Sequence, residues 1–267
     1  MRMRSTSKGC DDSLKLFLCV AAAVTTLAAR PALGREAGDP IRLAWAEGDV
    51  AGMTAILSPD GTATVGFIDY RQHRRGDVLT VVRIARFSDG SSDEDQVEAR
   101  IGPTLQTLGG RSIIRNTKGI ATVDLEIDVA GGHITGFSGL GSERQTYDER
   151  VELPGGTYWG PLIFLVIKNF DKNADDDRLT FRTIVATPRP RVLDMELLRR
   201  ERTSVTRSGG KIDVLRFALR PTVNWLVDPI IRMLAPDTNF FVQLGAPPGL
   251  VRFDGPRNYA DQKIRIE

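Results

Sequence analysis

Cysteine is almost missing from this 267-residue chain: there are two, Cys10 and Cys19, both near the N-terminus. Beyond residue 19 the fold therefore has no disulfide, no thiol nucleophile and no cysteine-based zinc site. Histidine is as scarce, with only His73 and His133, and a metal site needs several His, Cys or carboxylate ligands converging in space. No phosphate loop and no dinucleotide fingerprint appears. The segment GFSGLG (136–141) does not satisfy G-x-S-x-G, so Ser138 with its glycines reads as a turn. Long apolar runs are also lacking. The two longest, LFLCVAAAVTTLAA (16–29) and YWGPLIFLVI (158–167), fall short of the roughly 20 residues that a membrane-spanning helix needs.

The first of those runs has a plain reading. Arg2, Arg4, Lys8 and Lys15 precede it, and Ala32-Leu33-Gly34 follows as a small-x-small site. Basic region, short apolar core and small-residue site make a secretory signal, with cleavage near Gly34 and a periplasmic or secreted destination. Retained, the same segment would be an anchor. Cleavage leaves 233 residues, an ordinary length for one β-sandwich or barrel, so residues 35–267 are read as one β-rich domain. It also alters the charge. The full chain carries a formal +2, but residues 35–267 hold 31 Lys and Arg against 32 Asp and Glu. Nucleic-acid binding has no electrostatic support at that balance.

What is present is alternation. In IATVDLEIDVAGGHITGF (120–137), Val123, Leu125, Ile127 and Val129 alternate with Thr122, Asp124, Glu126 and Asp128, and Gly131-Gly132 turn the chain back. A period of two with a tight glycine turn predicts a hairpin with one face in the core. The same pattern predicts strands at 179–187, 192–198, 211–219, 51–57, 62–70 and 78–88, and a last one in QKIRIE. The expected fold is all-β and mainly antiparallel: a curved sheet, sandwich or partly open barrel or β-spiral. Two helices interrupt it. Asp228-Pro229 before IIRMLA predicts a short one, with Asp as cap and Pro at the first position. Gly160-Pro161 before LIFLVIKNF predicts another, apolar all round and therefore enclosed, with Leu162, Phe164, Leu165 and Ile167 packing as core beneath the sheet.

Candidate chemistry is thin. Asp171, Asn173, Asp175 and Asp177 place oxygens at alternate loop positions, a spacing that can wrap Ca²⁺, although Asp176 and Arg182 stand where an EF-hand has Gly and bidentate Glu. No other cofactor is implied. SDGSSDED (88–95), with Asp89, Ser91, Asp93 and Asp95, reads as a solvated acidic hairpin or a poorer calcium loop. Arg199, Arg200, Arg202 and Arg207 make a basic run, diluted by Glu201, that suits lipid phosphates or a charged sheet edge. The Pro- and Gly-rich stretch 245–259 reads as a surface crossing. Trp159, Arg257 and Tyr259 are ligand-binding candidates. An envelope hydrolase or lyase would instead need a polar cleft gathering Arg257, Tyr259 and His73.

The run LPGGTYWGPLIFLVI then carries a resemblance. Leu153, Pro154, Gly156 and Thr157, an apolar helix, an Asp-rich loop and a further strand resemble exported bacterial β-spiral proteins of the envelope-integrity type, and are similar to neighbouring periplasmic families of unknown function. The resemblance covers most of residues 45–245. It implies a helix lying along a curved, partly open sheet, and it brings no catalytic residues. This chain departs from it in having no cysteines for a disulfide. The expectation is a non-enzymatic envelope protein that binds a lipid, glycan or protein partner.

Overall fold

Strands that alternate apolar and polar residues must bury one face, and here, among the described residues, they do so by curling round one α-helix. The computed structural model describes residues 37–170, 177–185, 190–207, 209–222, 238–257 and 263–267. A two-residue strand β1 (Ile41–Arg42) is followed by β2 (Val50–Leu57), β3 (Thr64–Arg75) and β4 (Val78–Phe87). Next come β5 (Ser92–Ile101), β6 (Thr104–Arg115), β7 (Ala121–Asp128), β8 (His133–Ser138) and β9 (Gln145–Arg150). Helix α1 (Leu162–Lys168) precedes β10 (Arg178–Val185), β11 (Arg191–Arg207) and β12 (Gly210–Pro221). The chain closes with β13 (Thr238–Gln243), β14 (Leu250–Pro256) and β15 (Lys263–Ile266).

Among the described residues these strands form one sheet, running from β10 through β15 to β2 and on to β9, with β1 added on β6. All its ladders are antiparallel; β7 and β8, for example, pair from Val123↔Ser138 to Asp128↔His133. The fold is therefore all-β and mainly antiparallel. The two halves of the chain join where β15 meets β2, through Arg265↔Leu57 and Ile266↔Ile56. The end strands β9 and β10 do not pair with each other, so the sheet is not closed into a barrel. The linker after β9 lies on β10 instead: Thr157 bridges Arg182 in parallel, and the Tyr158 N–H donates to the Arg182 carbonyl at 2.8 Å.

One core cluster collects Leu79, Val97 and Leu125 from one half of the sheet, Phe217 and Phe240 from the other, and the helix residues Leu162, Leu165, Val166 and Ile167. A single core drawing on both halves requires the sheet to curl. Tyr158 is fully buried; its hydroxyl donates to the Leu105 carbonyl at 2.7 Å and accepts from the Ile41 N–H at 2.9 Å. The linker is thereby tied to β6 and β1.

The helix is shorter than the periodicity suggests, and its cap is one residue later. Pro161, not Gly160, occupies the cap position, and the first turns close through Leu162 N to Trp159 O and Ile163 N to Gly160 O. These are 3₁₀-type bonds, common at a helix start. Phe164 is only partly buried, meeting Phe240 edge-on at 6.1 Å, while Val166 takes a fully buried place. The helix predicted at 228–235 lies outside the described residues.

Two segments differ from their sequence reading. Residues 92–95 of the acidic stretch 88–95 already belong to strand β5, and residues 250–256 of the supposed surface crossing are strand β14. In β5, Asp93 and Asp95 are in phase with Val97, Ala99 and Ile101, so both carboxylates point inward and are buried. Acidic side chains argued for water, but backbone pairing and matched cations outweighed that.

Candidate functional site

The inward carboxylates are each matched. Asp95 accepts from Arg83 Nη2 at 2.6 Å and Nε at 3.0 Å, and from Ser112 Oγ at 2.8 Å. Asp93 accepts from Arg257 Nη2 at 2.8 Å and Nε at 3.1 Å, and Arg257 Nη1 donates to Ser91 Oγ at 3.0 Å. The Arg257 guanidinium lies 3.6 Å over the Phe87 ring. Arg257 thus clamps the end of β14 onto β5 through a bidentate pair and a ring face. Beside it opens a pocket of about 370 Å³ lined by Ser58, Val65, Ser88, Asp89, Lys263 and Ile264 among others. Asp89 is held below the usual carboxylate range by the Ser91 hydroxyl and the Ser91 N–H.

The other predicted residues do not gather there. His73 is exposed and pairs with Asp49 at 3.2 Å. It is opposite Thr80, whereas Phe87, beneath Arg257, lies seven residues further along β4, roughly 23 Å at the strand rise. His73 and Arg257 therefore sit towards opposite ends of their strands and do not share a cleft. Tyr259 lies outside the described residues. Trp159 is 4% exposed and belongs to the core, its indole N–H without a partner among the described residues. Of the calcium candidates, Asp171, Asn173 and Asp175 lie outside the described residues, and Asp177 is held by Arg199 at 2.5 Å. No three His, Cys, Asp or Glu side chains converge among the described residues. His133 lies 2.6 Å from Asp148 on the outer surface.

The LPGGT residues have structural work. Gly156 passes so close to residues 38 and 39 that a Cβ would lie 2.4 Å from both carbonyl oxygens, and its N–H donates to the Gly38 carbonyl at 3.2 Å. Thr157 is wholly buried.

The basic run is rearranged by the fold into a site that spacing alone conceals. Arg199 pairs with Phe217 and Arg202 with Leu215, three steps along β11 against two along β12. This β-bulge breaks the alternation, and bulges re-aim side chains in this way. Arg199, Arg200 and Arg202 consequently line one pocket of about 280 Å³, together with Asp177, Leu215 and Leu244. Glu201 goes to the other face, where Arg216 grips it at 2.8 and 3.0 Å and lowers its pKa. The pocket wall carries three guanidinium groups against one carboxylate, over leucines at the margin of the core. β10 ends its pairing with β11 at Leu198, so among the described residues β11 has a strand on one side only beyond the bulge.

No family model matches the chain, and no curated protein matches it. Its structure is similar to the crystal structure of a β-barrel-like protein of a domain of unknown function, DUF1849, from Brucella abortus. The TM-score is 0.44 at 11% identity, covering 85% of this chain and 96% of that one. Among the described residues, no helix is long and apolar enough to cross a membrane.

Proposed function

We propose that the chain is an exported envelope protein of the β-spiral, envelope-integrity kind, and that it binds a phosphate-bearing envelope lipid or glycan without transforming it. The observation that carries this reading is the bulge-built pocket. Arg199, Arg200 and Arg202 converge on it while Glu201 is drawn to the opposite face. Planar guanidiniums present forked donors that suit phosphate oxygens, and Leu215 and Leu244 beside them give an acyl or other apolar group a dry surface. The export reading is supported by the basic and apolar pattern of residues 1–34. The inward-facing arginines Arg83 and Arg257 are already committed to buried aspartates, which favours a binding role over acid–base work at those positions.

The test is chemical. Protein purified gently from its native envelope should carry organic phosphate, detected by mass spectrometry of the extracted ligand. The double variant Arg200→Ala/Arg202→Ala should emerge without it. Wild-type protein that carries no phosphorus-containing molecule, and takes none up from an envelope extract, contradicts the reading.

A further inference from the structure

The hollow beside Arg257 is a second candidate site, and it shares no lining residue with the β11 pocket. Strand order explains why a hollow exists there. β15, β2 and β3 lie between β14 and β4, so four strand spacings separate β14 from β4, roughly 19 Å on a flat sheet. Arg257, just past the end of β14, nevertheless stacks on Phe87 at the end of β4 and pairs with Asp93 on β5. One side chain cannot reach so far over a flat sheet. The sheet therefore curls here, Arg257 crosses the curl as a chord, and a pocket of about 370 Å³ opens alongside. That volume is at the small end of the range for ligand sites, roughly 300–1,000 Å³. Val65, Phe87 and Ile264, which pack on the small core of Ile56, Ile68, Ala85 and Ile266, give it an apolar wall.

Charges of both signs line the same hollow. Arg257 donates three N–H groups to Asp93 and Ser91, which leaves one on each terminal nitrogen. Lys263 stands exposed at the first position of β15. Asp89 accepts from the Ser91 N–H and the Ser91 hydroxyl through Oδ1, which orients the carboxylate and leaves Oδ2 for another donor. The same two bonds hold Asp89 below the usual carboxylate range, so it is ionised at neutral pH. Lys263 and Asp89 line one pocket, yet they form no ion pair with each other. A simple anion there meets the charge of Asp89, and a simple cation meets Lys263 and Arg257. A molecule that carries both charges satisfies both ends, and the site discriminates against molecules that carry one.

We propose that this pocket binds a small zwitterion with an apolar side chain, a free amino acid or a dipeptide. Its carboxylate takes the Lys263 ammonium and the remaining Arg257 N–H groups. Its ammonium takes Oδ2 of Asp89, and its side chain lies on Val65 and Ile264. Asp93 and Ser91 are positioning residues, holding Arg257 and Asp89 in place.

The test uses the full chain with labelled valine, leucine and isoleucine methyl groups, followed by NMR. Leucine, as both enantiomers, and glycylleucine are titrated in, each also in an N-acetylated and a carboxyl-amidated form. Leucine or glycylleucine should shift the Val65 and Ile264 methyl signals, and the tighter of the two identifies the source of the zwitterion. The acetylated form lacks the cation and the amide lacks the anion, so each should bind about ten-fold or more weakly. Asp89→Asn should erase the preference over the acetylated form and keep that over the amide. Lys263→Gln should narrow the preference over the amide and keep that over the acetylated form. Arg200→Ala/Arg202→Ala should leave all these shifts unchanged, which separates this site from the phosphate pocket. Unmoved Val65 and Ile264 signals at millimolar concentrations of both zwitterions overturn the proposal. So does equal binding of the blocked and unblocked forms, or loss of the shifts in the double arginine variant.

Discussion

Gly160 is the residue on which the helix entrance turns. Its φ of 52° is strained for any side chain, and a Cβ there would lie 3.0 Å from the carboxyl carbon of Asp95. Gly160→Ala should cost about 2 kcal/mol or more in urea unfolding, of which about 1–2 kcal/mol is the left-handed backbone. Asp95 itself is a sharper probe. Asp95→Ala leaves the half-buried Arg83 without its partner, so a loss of about 1–3 kcal/mol is expected, whereas the apolar double replacement Arg83→Met/Asp95→Leu should recover much of it. Asp60 gives the acid limb. The Ser58 hydroxyl, then the Thr62 N–H, lower its pKa from 3.8 to about 2. A depressed carboxylate stabilises the fold above its unfolded pKa, so this contribution is lost as pH falls from about 4 towards 2. Asp60→Asn should flatten the stability curve in that window, and NMR titration of Asp60 should give a midpoint near 2 that rises in Ser58→Ala. The inward Asp93 and Asp95 were legible only through their phase with Val97, Ala99 and Ile101. Nothing in the sequence named Arg83 and Arg257 as their partners, because those pairs span 12 and 164 residues.

Elements show where pattern suffices. The hairpin of β7 and β8 was readable because alternation and the Gly131-Gly132 turn agree, and Gly132 does take a positive φ of 61°. Strands β5, β6, β9, β13 and β14 were not separately readable. Charge in β5 and β9, Gly109-Gly110 in β6 and Pro or Gly around β14 weaken the signal that pairing partners later restore. Helix and strand cannot be separated by periodicity in so short an apolar run as 162–168; Gly160-Pro161 decided it, though not to the residue. Burial now ranks the helix positions. Leu162→Ala should cost about 2–5 kcal/mol, the range for emptying a buried leucine site, and Phe164→Ala less than its full-burial range because Phe164 is only partly covered. Chemical denaturation of the two variants side by side checks that order. The bulge in β11 was beyond sequence reading altogether, since register against β12 creates it.

At the scale of the whole molecule, a curled sheet supplies rigidity, and recognition is what we propose for its bulged strand β11. Of the four calcium candidates only Asp177 lies among the described residues, and it would have to leave Arg199 to serve as a ligand. Millimolar Ca²⁺ should therefore leave the melting temperature unchanged; a rise that Asp175→Ala removes would reinstate the ion. The central claim is that Arg199, Arg200 and Arg202 bind phosphate. Its most direct measurement is co-flotation of the protein with phosphatidylcholine vesicles that contain or lack an anionic phospholipid, at low and high salt. Each arginine near an anionic surface contributes about 1 kcal/mol, so Arg200→Ala/Arg202→Ala should weaken binding about thirty-fold. The account predicts flotation of the wild type with anionic vesicles only, lost in the double variant and reduced by salt. Equal flotation of wild type and double variant, or no preference for anionic vesicles at low salt, would contradict it.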